Sequence, residues 1–338
     1  MLAAPTQYIR QRLRALRKAR YHPILLPHRH VTDRGVETWG RPTRLPCEGE
    51  GPLRALRLCD GTRTLAQVAR QANVARSTLL DLHDAEMVLL WRSPLPASPP
   101  APVDVRAIIV SPHPDDASLS LGGMMLGAAP GRTLVLDVFT RTAWSRFPHE
   151  LNDVALIAAI RRAEENLMAR MAGAAIIDLD QPEALLRDHE FTGVFSDSPR
   201  PWDQQVLAGM RETVADLRRR FPAATWFLPL TVGDHLDHRV VRNAALAALQ
   251  ATELDTDAVR FYEDLPYAAA ATTPDFSGLL PGRRLQPQAI DIHSVRMEKV
   301  ELNRAYWSQL SWGQLATLLE YARRIGNGRA IERVWRIA

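Results

Sequence analysis

The sequence predicts an α/β protein: a mostly parallel sheet with helices on both faces, preceded by a small separate N-terminal unit. Three observations predict it. Five short apolar runs alternate with five longer helical stretches beyond residue 104. Two clusters of histidine and aspartate, at 113–116 and 234–238, each follow closely on one of those runs. A proline-rich stretch, Ser93 to Pro102, divides this part from a basic N-terminal one. Strand and helix alternating at this spacing is the pattern of parallel strands joined by crossover helices.

The N-terminal part opens with an expected amphipathic helix at 6–20. Short extended pieces follow at Val36–Thr38 and Arg44–Cys47. Leu53–Leu58 reads as helix and stops at the turn pair Asp60-Gly61. Thr64 suits the N-cap of a helix at 65–72, which Asn73 breaks. Ser77 starts another, with Leu79, Leu80 and Leu82 at core spacing, and Met87–Trp91 reads as a strand. Helix, turn, helix and strand make a winged-helix-like arrangement. The segment Leu56–Ala69 also resembles the small PqqD-like domains, which bind precursor peptides. Proline-rich composition makes residues 94–104 an extended, semi-rigid linker. The expected division is therefore 1–93, linker 94–104, and 105–338.

In the larger part, the apolar runs at 105–110, 133–139, 174–179, 225–230 and 259–262 read as buried strands. Helical stretches lie near 118–128, 155–172, 204–220, 238–250 and 295–310. The sum is a Rossmann-like sheet. A loop-like region at 180–203, bearing Asp180, Glu190 and Asp197, is long enough to cover a pocket.

Composition narrows the function. No apolar run approaches the ~20 residues that cross a bilayer. The basic start of the chain lacks the apolar core of a secretion signal, and the cytoplasm is the expected location. Two cysteines, Cys47 and Cys59, make neither a disulfide framework nor a cysteine zinc site. Residues 1–100 hold 16 Lys/Arg against 8 Asp/Glu, whereas the remainder holds 26 against 30. A basic N-terminal part suits an acidic partner. A DNA reader, however, presents base-contacting side chains on its second helix. Here that helix, Ser77–Glu86, holds three acidic residues and no Lys or Arg, so no specific nucleic-acid binding is expected.

The two clusters carry the chemistry. Ligands in open α/β folds bind where strands end, and a hydrolytic zinc site wants about three N or O ligands and one open position. His113, Asp116 and His238 supply two imidazoles and a carboxylate. Asp115 beside them suits a general base, and His235 an acid or an oxyanion donor. Asp237 suits holding an imidazole in one tautomer. Taken alone, Asp115 and Asp116 would equally suit a helix start, where acidic residues are favoured. Arg161 suits a sugar hydroxyl or phosphate, and equally an ion pair with Glu164 or Glu165. Trp144, Trp202 and Trp226 suit stacking on a sugar or core packing. His149, His189 and His293 show no ligand pattern and read as surface or packing residues, and His28 and His30, a pair without other ligands, read as solvent-exposed.

His113-Pro-Asp-Asp116 with Gly122-Gly123, joined by His235-Leu-Asp-His238, resembles the PIG-L/LmbE family of zinc-dependent N-deacetylases. Arg161-Arg-Ala-Glu164, Tyr262-Glu-Asp-Leu-Pro-Tyr267 and the late segment ending Tyr306-Trp-Ser-Gln309 resemble further family marks. The resemblance implies zinc held by His113, Asp116 and His238, Asp115 as base, and His235 as acid or oxyanion donor. It implies N-acylated small molecules, typically amino sugars, as substrates. Two positions depart from it: Ala117 stands where many members carry Glu, and Gly233 where some carry Tyr. Tyr262 or Tyr267 is then the expected replacement at the substrate, beside Arg161.

The expected function is thus metal-dependent removal of an acyl group, with zinc or another divalent metal. Two other readings stand beside it. One is a peptide- or amide-processing hydrolase whose N-terminal unit presents the substrate. The other is a ligand-sensing, DNA-binding regulator without catalysis. A homo-oligomer is a further expected assembly.

Overall fold

The computed structural model describes residues 20–147 apart from 34, 40 and 48, and then 152–251, 256–271 and 275–338. The helix expected at 6–20 therefore falls almost wholly outside the described residues, as does His149. So does the side chain of Trp202.

The N-terminal unit is built from helices α1 (Glu50–Arg57), α2 (Leu65–Ala72) and α3 (Arg76–Asp84). Strands β1 (His22–Leu25) and β5 (Val88–Trp91) pair antiparallel. Strands β2 (Arg29–Val31), β3 (Val36–Thr38) and β4 (Arg41–Thr43) form a small antiparallel meander. Helix α2 forms where the sequence places it. The Thr64 hydroxyl accepts from the Gln67 N–H, the Gln67 side chain returns to the Thr64 N–H, and Asn73 ends the helix in the left-handed conformation. These contacts satisfy backbone groups that a helix end leaves open. The extended piece expected at 44–47 lies earlier, at β4.

The proline-rich stretch is tied down rather than free. The Leu95 N–H donates to Gly61, and Leu95 is buried. Arg170 Nε donates to the Pro96 carbonyl. Ile24, Leu26, Leu89, Trp91 and Leu95 belong to the same apolar core as the large sheet.

That sheet has seven strands among the described residues. They are β6 (Ala107–Ser111), β7 (Thr133–Asp137), β8 (Ala175–Asp178), β9 (Thr225–Pro229), β10 (Val259–Tyr262), β11 (Leu285–Asp291) and β12 (Ile331–Ile337). Their order is β11-β12-β10-β9-β6-β7-β8. Five run parallel, while β12 and β11 close one edge antiparallel. The parallel strands are near-continuous apolar runs because helices cover both faces. The chain proceeds from β6 to β7 and β8 on one side, then returns to β9 on the other. The order in which the chain adds strands reverses between the parallel neighbours β6 and β9, and the carboxyl ends flanking such a reversal form a ready crevice.

Helices α4 (Asp116–Gly127), α5 (Val154–Ala172), α6 (Pro201–Arg220) and α7 (Leu236–Ala251) match the expected stretches within a few residues. The late helix expected over 295–310 does not: α9 (Arg296–Asn303) stops early, after the single turn α8 (Tyr267–Ala270). Residues 304–309 turn inward, where Ser308 meets Glu164 and Tyr306 meets Glu165. A helix unforeseen in the sequence, α10 (Trp312–Ile325), follows with a Ser311/Gln314 capping box.

Candidate active site

Both histidine clusters emerge at the reversal point. β6 delivers His113 through Asp116, and α4 starts at once. β9 delivers Thr231 through His235, and α7 starts at Leu236. The turn after β6 is tight enough to hold Asp115 at φ 114°. That region is disfavoured for any residue with a Cβ, and strain of this kind gathers at functional sites. Arg161 on α5 braces the turn. It pairs with Asp115 at 3.3 Å, donates to the Pro114 carbonyl, and donates to Thr142 Oγ1 at 3.3 Å. Neither Glu164 nor Glu165 takes that guanidinium; they receive Ser308 and Tyr306 instead.

His113, Asp116 and His238 present one ligand atom each, all within 4.8 Å of one another. The far nitrogens of both imidazoles are occupied. His113 Nε2 donates to Asp237 Oδ2 at 2.9 Å. His238 Nδ1 donates to Asp264 Oδ1 at 2.6 Å. His113 Nδ1 and His238 Nε2 then face Asp116 Oδ2 at 3.2 and 3.4 Å. Carboxylates behind imidazoles, with lone pairs gathered in front, are what a cation site requires. A second triad, His113, His235 and Asp237, is equally compact. Its Asp237 is already spent, since it accepts from His113, from Ala184 N–H at 3.0 Å and from Arg187 at 2.5 Å. The first set therefore fits a divalent ion better.

Electrostatics set the two neighbouring acids apart. Burial raises Asp115 to about 7, opposed by Arg161 and reinforced by Asp116. Burial also acts on Asp116, but His238 and His113 outweigh it and hold the carboxyl at about 2. Burial and the neighbouring His238 and His113 lower His235 to about 3, so its imidazole is neutral. Its Nδ1 accepts from the Asp237 N–H at 3.2 Å, which leaves the proton on Nε2.

The site opens into a cavity of 280 Å³. Its floor is polar. Its wall includes Trp144, Leu185, Phe191, Phe195, Tyr267 and Leu310. The region 180–203 does cover this pocket, through Glu183 to Phe195. Glu183 accepts from Thr142, from Ala143 N–H and from Trp144 N–H, fixing the Trp144 side of the rim.

Tyr267 reaches the cavity, whereas Tyr262 does not. Tyr262 is fully buried in β10, and its hydroxyl donates to the Val110 carbonyl at 2.9 Å. The strand period turns it into the sheet, which corrects its placement at the substrate. Gly233 has a physical reason. A Cβ there would lie 2.8 Å from Tyr267 Cβ and Cγ, and φ is +84°. Trp226 is core. His28, read as solvent-exposed, is buried, and so is His189, read as a surface or packing residue. His28 stacks on Trp307, and His189 lies between Asp197 and Asp203. Asp264 escaped sequence reasoning although its signal was the same as the others: an acid directly after a buried strand. Arg187 gave no signal, because loop positions carry no period, and Asp203 stands in the first turn of α6, where an acid is ordinary.

Comparisons with known proteins point to one family. A family model described as PIG-L, GlcNAc-PI de-N-acetylase, matches residues 108–249. The chain is 36% identical over 225 residues to the 2'-N-acetylparomamine deacetylase of Streptomyces fradiae, covering 65% of this chain and 78% of that protein. The zinc-inhibited form of a teicoplanin deacetylase superposes with TM-score 0.57 at 24% identity, covering 69% of this chain and 98% of that one. The A40926 pseudoaglycone deacetylase superposes with TM-score 0.55 at 23% identity, over 70% and 98%. These two structures share the fold. The similarity to the Streptomyces enzyme, with the family model over the motif-bearing residues, shows that this chain belongs to the PIG-L family of metal-dependent N-deacetylases.

Proposed function

We propose that this chain removes an acetyl group from the nitrogen of an amino sugar, with zinc or another divalent ion held by His113, Asp116 and His238. The observation that carries the reading is the set of lone pairs converging from two strand ends, each imidazole backed by its own carboxylate. Such an ion, when bound, polarises the amide carbonyl and supports water as nucleophile.

The chain's own residues do the rest. Asp115 takes the proton of the attacking water, held in place by Arg161 at 3.3 Å. Proton transfer by a positioned side chain is worth roughly 10²–10⁴ in rate. The neutral His235, with its proton on Nε2, donates to the oxygen where negative charge develops. Asp115 then returns its proton to the leaving nitrogen. Asp237 fixes the His113 ring. Arg161 lines the cavity as well as bracing the turn, so it meets the substrate at the wall while holding Asp115. Tyr267 and Trp144 flank the sugar.

The substrate class follows the Streptomyces relative, whose name specifies 2'-N-acetylparomamine. The test is acetate release from 2'-N-acetylparomamine and from N-acetylglucosamine, with zinc-loaded and chelator-stripped protein. Release that depends on the ion supports the reading. No release from either compound by the loaded protein would refute the substrate class.

A further inference from the structure

A chain of buried charges runs away from the site, and the proposed reaction uses only its first member. Arg187 Nη2 donates to Asp237 Oδ1 at 2.5 Å, and Arg187 Nε donates to Asp203 Oδ1 at 2.8 Å. Asp203 Oδ2 faces His189 Nε2 at 3.3 Å, and His189 Nδ1 faces Asp197 Oδ2 at 2.8 Å. The side chains of Arg187, His189 and Asp203 are 0% exposed. The guanidinium also lies over Phe139, 4.4 Å from the ring centre. One end of this chain is the His113 ring, through Asp237. The other is the covering loop, whose Phe191, Val194 and Phe195 line the cavity.

Buried ion networks are weak sources of stability, because desolvation offsets most of their attraction. Apolar residues would serve a merely structural loop as well. What a guanidinium adds is geometry: a rigid planar fork whose donors reach two carboxylates at fixed angles. We propose that Arg187 is a positioning residue acting in two directions. It fixes the Asp237 carboxylate that orients His113, and it fixes the cavity wall through Asp203 and His189. The ligand site and the substrate wall are thereby set by one side chain. The inference rests on His113 being a metal ligand, as proposed above.

The test compares Arg187→Lys, Asp203→Asn and His189→Gln in the full chain. Zinc affinity is read by competition with a chromophoric chelator, and kcat and KM are read on 2'-N-acetylparomamine. Circular dichroism gives the folded fraction. Lysine keeps the charge but cannot span both carboxylates. Arg187→Lys is expected to weaken zinc binding by roughly 10–100-fold, the usual effect of losing a partner behind a ligand, and to raise KM. His189→Gln and Asp203→Asn are expected to raise KM while zinc affinity stays at the wild-type value. Wild-type zinc affinity in folded Arg187→Lys overturns the proposal. So does an unchanged KM in Asp203→Asn, which decides the matter if Arg187→Lys does not fold. Should wild-type protein not turn over 2'-N-acetylparomamine, the substrate reading fails on its own. Zinc affinity, with hydrogen exchange of the covering-loop amides in place of KM, then decides the positioning claim.

Discussion

Two buried clusters in this molecule use the same ingredients to opposite ends. Where the N-terminal unit meets α9, Glu301 receives the Leu90 N–H at 2.6 Å, His83 Nε2 at 3.1 Å and Arg304 at 2.9 Å. Burial raises that carboxyl, but Arg304 and His83 outweigh it and hold it at about 2. Donors surround the charge, and the cluster is closed. At the candidate active site, Asp116 and Asp264 meet imidazoles rather than guanidinium groups. Burial opposes charge on both rings, but the hydrogen bonds and charges of Asp116, Asp237 and Asp264 outweigh it, raising His113 to about 10 and His238 above its ordinary value. The imidazoles thus hold protons among the carboxylates, and a bound cation would displace them. The first cluster joins two parts of the fold, and the second gathers a donor set that could hold an ion.

Breaking each cluster should therefore give different signatures. The largest effect belongs to His113→Ala. Bound divalent metal, expected at about one per chain in wild type by elemental analysis, should vanish together with activity. Next comes Asp115→Asn. Turnover should fall by roughly 10²–10⁴-fold while the metal remains, since Asp115 is not among the ligands. Asp264→Asn should loosen the metal by roughly 10–100-fold. Glu301→Gln sharpens the contrast. It leaves Arg304 buried without its charge partner and should cost about 3–5 kcal/mol in a denaturant titration, with metal affinity unchanged.

The smallest effect is a pH dependence of the metal-stripped protein. Asp115 is raised from its ordinary 3.8 to about 7, chiefly by burial. A carboxyl with a raised folded value binds its proton more tightly in the native state. Its ionisation therefore subtracts stability, beginning above 3.8 and complete above about 7. Asp115→Asn should stabilise the stripped protein at pH 8 and leave it unchanged at pH 3. Equal melting temperatures at pH 8 would contradict the burial of that charge.

Much of this was legible in the sequence, for reasons that differ by element. The parallel strands were readable because burial on both faces makes them short apolar runs, as at Ile108–Val110 and Val135–Leu136. Helix α2 was readable from Thr64 and Asn73, whose side chains decide its ends. Strand β11 was not, because it is an edge strand with exposed residues and Pro287 within it. The early end of α9 was hidden because partners at Glu164 and Glu165, far away in sequence, draw residues 306–308 inward. The histidines and acids proposed as metal ligands stood out because polar residues directly after buried strands are conspicuous. Arg187 and His189 did not, because only the fold shows that their loop is buried against Asp237. Tyr262 misled for the converse reason: it stands in a motif beside the site yet points into the sheet.

The central claim is that a divalent ion sits among His113, Asp116 and His238. Anomalous diffraction at the zinc edge, on crystals grown with zinc, tests it most directly. The account predicts one strong peak at roughly 2.0–2.2 Å from His113 Nδ1, a carboxylate oxygen of Asp116 and His238 Nε2. A peak among His113, His235 and Asp237 instead, or no peak at either triad, would contradict it.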